Sequence, residues 1–95
     1  MTDEKKLAIR AKRYGLTPFQ LKSLFAMSKG CWICGREPKP GKPRYIDHCH
    51  KTSNVRGVLC HKCNYRLLGR GLEDSKLHRA AAAYLDCGFD ARKDL

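Results

Sequence analysis

The sequence predicts a small α+β domain stapled by a metal, with a treble-clef-like hairpin and helix at its centre. Three observations carry that expectation. Cysteines come in two pairs, Cys31-x-x-Cys34 and Cys60-x-x-Cys63. Two short strand patterns lie between the pairs, and helix signals flank them on both sides. The chain is also short, at 95 residues, with 31% charged residues and only 8% aromatic. A domain of that size is marginal on core packing alone and usually needs a staple.

The expected elements follow in order. Residues 3 to about 14 form a short basic helix, capped by Thr2, with Asp3 and Glu4 in its first turn and Gly15 as its stop. Its Lys/Arg face is either solvated or set against phosphates. Thr17-Pro18-Phe19-Gln20 is a capping box with proline at the first helical position. Leu16 and Leu21 can staple that entry, Leu24, Phe25 and Met27 continue the apolar side, and Gly30 ends the helix. Residues 31–35 form a tight turn and residues 36–43 an extended, exposed Pro/Lys/Gly loop. Tyr45-Ile46-Asp47-His48 and Val55-Arg56-Gly57-Val58-Leu59 read as strands, joined by the loop Lys51-Thr52-Ser53-Asn54. A helix begins near Cys63-Asn64 and stops around Gly69 or Gly71. A last helix runs from about Ser75 to Cys87, capped by Asp74 and ended by Gly88, with Leu77, Ala80, Ala81, Tyr84 and Leu85 on its apolar side. The organisation is one domain, with an N-terminal helical segment 1–30, a metal-stapled core 31–71 and a C-terminal helical segment 72–95.

Two residues between cysteines let both sulfurs reach one ion from a single tight turn. Two such pairs complete a tetrahedron, the closed geometry of a structural Zn²⁺ site. Such a zinc holds a fold and has no open position for chemistry. No stretch is long or apolar enough to span a bilayer, and the first residues lack the apolar core of a signal peptide. The expected setting is therefore the cytoplasm, where thiols favour metal over disulfides. Cys49 and Cys87 are left as unpaired thiols. His61 is expected to be exposed, with replacement of a cysteine ligand as its alternative, and His78 belongs on a helix surface.

The formal net charge of +11 and a pI near 9.7 suit a polyanion, of which nucleic acid is the commonest. Charge does not separate DNA from RNA. Between the cysteine pairs stands Asp47-His48-Cys49-His50, and Asn64 follows the last cysteine. A purely structural module has no use for a carboxylate, two imidazoles and an amide at these places. Oxygen donors hold a hard cation, and a free histidine can act as a base.

Here the sequence resembles the phage recombination endonuclease VII family, within the HNH (ββα-metal) nucleases. The resemblance rests on Tyr14-Gly15-Leu16-Thr17-Pro18, Cys31-Trp32-Ile33-Cys34-Gly35, Asp47-His48-Cys49-His50 and the run Val55-Arg56-Gly57-Val58-Leu59-Cys60-His61-Lys62-Cys63-Asn64. It covers about residues 14 to 85. It implies a metal-dependent DNA endonuclease that leaves 5′-phosphate and 3′-hydroxyl ends. Asp47 and Asn64 would hold Mg²⁺ or Mn²⁺, His48 would be the general base, and His50 would position or neutralise the scissile phosphate. Asn54 is a candidate for the bracing asparagine. Arg56, Lys62, Arg66 and Arg70 are candidate phosphate contacts, which carry little sequence information. Members that resolve branched DNA act as dimers, so a homodimer and a monomer are both compatible. The competing function is a zinc-finger module that binds nucleic acid without cutting it.

One geometric requirement follows. Ideal strand alternation sends Asp47 and His48 to opposite faces. Both can serve one cation only if the backbone departs from the regular strand at that point.

Overall fold

The computed structural model describes residues 2–39, 44–71 and 73–95. Residues 40–43 of the expected exposed loop, and Leu72 at the start of the C-terminal segment, lie outside them; residues 36–39 of that loop are exposed.

Helix α1 spans Asp3–Arg13, and the Thr2 side chain accepts from Lys5 N–H at its N-terminus. Helix α2 spans Pro18–Met27. Its capping box is complete: Gln20 N–H donates to Thr17 Oγ1 at 3.1 Å, and Gln20 Oε1 accepts from Thr17 N–H at 2.9 Å. Gly15 makes the turn between the two helices at φ +71°, a conformation that costs glycine little. Strands β1 (Tyr45–His48) and β2 (Val55–Leu59) form one antiparallel pair. Beyond β2, Lys62–Leu67 form a widened, π-helical turn, in which Leu68 N–H reaches back five residues to the Cys63 carbonyl at 3.0 Å. Helix α3 covers Ser75–Asp86, capped by Asp74 through Leu77 N–H. A one-turn helix, α4 (Ala91–Asp94), completes the chain.

The apolar residues gather in two clusters on either side of the hairpin. Leu16, Leu21 and Leu24 from the N-terminal half pack with Ile46, Val55, Val58 and Ala91. Ile33, Leu59, Leu67, Ala81 and Tyr84 pack around Cys31 and Cys63. Trp32 touches both clusters. The result is a small α+β fold with a two-stranded sheet.

The apolar stripes are narrower than their sequence pattern. On α2, Leu21 and Leu24 are fully buried, but Met27 is exposed, and Phe25 lies under the guanidinium groups of Arg10 and Arg44. On α3, Ala81 and Tyr84 are buried whereas Leu85 is 41% exposed. A 100° helical stripe is wider than the face these short helices bury against so small a sheet. The helix expected after Cys63 is the π-helical turn, and α4 had no expected counterpart.

Candidate functional site

The cysteine pairs are brought together by backbone turns. Cys31 N–H donates to the Arg36 carbonyl and Gly35 N–H to the Cys31 carbonyl, closing residues 31–36 into a knuckle. Gly35 sits at φ +76°. A Cβ on Gly30 would lie 2.5 Å from the Gly35 carbonyl oxygen, so that glycine is required by the closeness of the two chain segments. Trp32 N–H donates to the Val58 carbonyl at 3.0 Å, which fixes the knuckle to the edge of β2. The sulfurs of Cys31, Cys34, Cys60 and Cys63 all lie within 4.8 Å of one another. Cys34 and Cys60 sulfurs are 3.7 Å apart. Zinc–sulfur bonds of about 2.3 Å at tetrahedral angles place sulfurs about 3.8 Å apart.

The chemistry of the donors agrees. Burial opposes ionisation of Cys31, but backbone N–H groups of Cys34, Cys60 and Ile33 outweigh it and lower its pKa. Burial, together with the charge on Cys31, pushes Cys60 and Cys63 up. Protein groups alone thus favour one thiolate and hold others as thiols. A dication is the partner that lets them ionise together. The four cysteines could hold a structural metal such as zinc. His61 is outside this group; its ring lies 5.3 Å from Tyr65 and 5.7 Å from Tyr45.

The second constellation straddles β1 and β2. Tyr45, Ile46 and Asp47 pair with Leu59, Val58 and Gly57, but His48 pairs with Val55. Arg56 is the unmatched residue, so the register breaks between Asp47 and His48. Bulges bend a strand and re-aim its side chains.

Asp47 points inward and is 7% exposed. Arg56 Nε donates to its Oδ2 at 2.8 Å and Arg56 Nη2 to its Oδ1 at 3.1 Å. Tyr84, reaching from α3, donates its hydroxyl proton to Oδ2 at 2.7 Å. Burial first, and the Asp47 charge second, raise the Tyr84 pKa far above its ordinary value, so this hydroxyl stays a donor. Burial works against the Arg56 charge, but the bonded Asp47 outweighs it and raises its pKa. Gly57, opposite Asp47, has no room for a side chain: a Cβ would lie 2.7 Å from the Trp32 ring and 3.0 Å from Tyr84.

His48 is partly exposed, with its ring centroid 4.8 Å from His50 and 5.6 Å from Tyr14. Cys49, between the histidines, is lowered to about 7, chiefly by the hydroxyl of Thr52 and then by the backbone N–H groups of Thr52 and Lys51. The loop is braced where Cys49 N–H donates to the Asn54 carbonyl at 2.9 Å and Ser53 N–H to the Cys49 carbonyl at 2.7 Å. The Asn54 side chain accepts from Arg92 at 2.6 Å. Asn64 is partly exposed at the head of the π-helical turn, and its backbone N–H donates to the Cys60 carbonyl. Among the described residues no hydrogen bond joins Asn64 to Asp47.

The structure therefore sets His48 beside His50 and engages Asp47 with Arg56 and Tyr84. Of the candidate phosphate contacts, Arg56 is the partner of Asp47, and Arg70 lies over the Tyr65 ring and donates to its hydroxyl. Lys62 is partly exposed and Arg66 exposed. Sequence reasoning placed Tyr84 in the core for its ring alone. Its signal was the hydroxyl, which seeks a partner whenever a tyrosine is buried.

A family model described as recombination endonuclease VII matches residues 7–87. Two curated relatives, the Gene 59 proteins of Mycobacterium phages D29 and L5, are each 36% identical over 73 residues. Those matches cover 76% of this chain but 44% of each relative, so the chain spans less than half the length of either. No solved structure matches.

Proposed function

Because the chain belongs to the recombination endonuclease VII family, we propose that it is a small metal-dependent DNA endonuclease of the HNH (ββα-metal) type. The observation that carries this reading is the pairing of the His48 and His50 rings, 4.8 Å apart, at the end of the strand that carries Asp47. The bulge lies on β2, where Arg56 is the extra residue, so β1 keeps its alternation, with Asp47 against Tyr84 and His48 against Tyr14.

In this reading Asp47 and Asn64 hold a Mg²⁺ or Mn²⁺ ion by their oxygens. When bound, the cation supplies Lewis-acid stabilisation of charge on the phosphate and on the leaving oxygen. His48 takes a proton from the attacking water. His50, with its ring against that of His48, orients the phosphate. Asn54 braces the base through the backbone, since its carbonyl holds the loop that follows His48. The hydroxide attacks phosphorus in line and the 3′ oxygen leaves. Lys62, Arg66 and the remaining surface cations contact phosphates, which gives weak sequence preference and strong salt dependence. Zn²⁺ on Cys31, Cys34, Cys60 and Cys63 holds the treble-clef-like hairpin and turn. No helix among the described residues is long and apolar enough to cross a membrane. The phage relatives fit action on DNA in the host cytoplasm, by a monomer or a homodimer.

The test incubates zinc-loaded protein with supercoiled plasmid, with and without Mg²⁺ or Mn²⁺, beside Asn64→Ala and His48→Ala. The expected result is metal-dependent nicking, reduced ~10²–10⁴-fold in His48→Ala. Full activity in that variant removes His48 as the base. DNA binding without nicking under any divalent ion leaves the zinc-finger binding module as the function.

A further inference from the structure

Asp47 is an unusual acid for a cation site, because it already has a cation. An ionised carboxylate offers about four acceptor positions. Arg56 fills one on each oxygen and the Tyr84 hydroxyl fills a second on Oδ2. Among the described residues no donor takes the remaining position, on Oδ1. The arrangement is fixed from three directions. Arg56 is the extra residue of the bulge, Tyr84 comes from α3, and Gly57 lets Trp32 and Tyr84 close over the strand.

We propose that Arg56 and Tyr84 are positioning residues that clasp Asp47, limiting it to a single-lone-pair ligand and weakening its hold on a divalent cation when DNA is absent. The proposal rests on the nuclease reading for the identity of the cation, and on the hydrogen-bond geometry for the rest. The Arg56 guanidinium cancels the carboxylate charge that a hard cation would seek. Its bidentate fork also keeps the carboxylate from turning to offer both oxygens. A cation must then find further donors, and a DNA phosphate brings both oxygens and charge. The clasp thereby makes α3 part of the site through Tyr84, a side chain that meets the carboxylate and not the substrate.

Charge removal gives a test with an uncommon sign. Free Mn²⁺ is counted by its electron paramagnetic resonance signal during titration of zinc-loaded protein without DNA. Wild type is compared with Arg56→Gln and Tyr84→Phe, each alone and combined with Asp47→Asn. A neighbouring opposite charge shifts a carboxylate's proton affinity by roughly 10- to 1,000-fold. Arg56→Gln should therefore bind Mn²⁺ roughly tenfold tighter or more, and Tyr84→Phe tighter by a smaller factor. Asp47→Asn should abolish the gain in both. A fold loosened by substitution loses sites and does not gain affinity, so the tightening cannot come from structural damage.

Unchanged or weaker Mn²⁺ binding by Arg56→Gln, with zinc content and melting retained, overturns the clasp. If Arg56→Gln does not fold, Tyr84→Phe decides: tighter binding supports the clasp and anything else overturns it. A gain that survives Asp47→Asn also overturns it. Plasmid nicking is scored separately. Nicking without the affinity gain keeps the nuclease and rejects the clasp. The gain without nicking keeps the clasp as a cation-site device and rejects the nuclease.

Discussion

Two aspartates are buried among the described residues, and each is gripped by an arginine, yet they differ in what is left over. Asp90 is 1% exposed and caps α4. It accepts from Val55 N–H, Arg92 N–H and the Arg92 guanidinium, and its own N–H donates to Asp94. Those bonds tie the chain's end to the first residue of β2 and leave the carboxylate saturated. Asp47 makes fewer bonds, all from side chains, and keeps an acceptor position on Oδ1. A carboxylate bound by backbone donors is a structural joint. One bound only by side chains can exchange partners without unravelling a helix or a strand.

The largest effect on stability should therefore come from Asp90. Asp90→Asn should cost about 2–4 kcal/mol, because it breaks a buried ion pair whose arginine is partly exposed. A urea or thermal melt of zinc-loaded protein reads this. Its pKa is lowered: burial would raise it, but the Arg92 side chain and the N–H groups of Arg92 and Val55 prevail. The stability it contributes is full above the ordinary value of 3.8 and is lost as pH falls through that value and below. Asp90→Asn should flatten that part of the acid-unfolding curve.

Asp47→Asn should invert the pattern. Arg56 is 26% exposed and can turn to water, so the stability loss should be nearer about 1 kcal/mol. Plasmid nicking should fall by ~10²-fold or more. If Asp47→Asn proved the more destabilising of the two, the division between joint and site would be wrong.

The smallest effect concerns Cys49. With a thiol lowered to about 7, its thiolate fraction, and so its alkylation by iodoacetamide, should rise roughly tenfold from pH 6 to pH 8. Adducts should slow nicking, since Cys49 lies between His48 and His50. Peptide mapping gives the rate at Cys49. A rise nearer about a hundredfold, as an ordinary thiol gives, would separate Cys49 from the Thr52 hydroxyl.

How much of this was legible depended on whether the signal was local. The Thr17–Gln20 capping box, the CxxC turns and the two strands are written in consecutive residues, and they stand where the pattern puts them. What could not be read is held by long-range pairing. Asp90 meets Val55 across 35 positions and Tyr84 meets Asp47 across 37. Arg56 looked like a surface cation because arginine is rarely buried; it takes the bulge to aim it at Asp47. Gly57 carried a hint, since glycine inside a strand marks a close approach, but it did not say what approaches. The widening of the turn that carries Cys63 and Asn64 has no sequence mark at all.

Trp32 is the only tryptophan in the chain. Its ring lies 5.0 Å from Phe89 and 6.4 Å from Tyr84, its indole N–H donates to Ser28, and it follows directly on Cys31. It is thus a built-in optical reporter at the junction of the knuckle, the carboxylate clasp and the chain's end, and one emission spectrum can register loosening in any of the three.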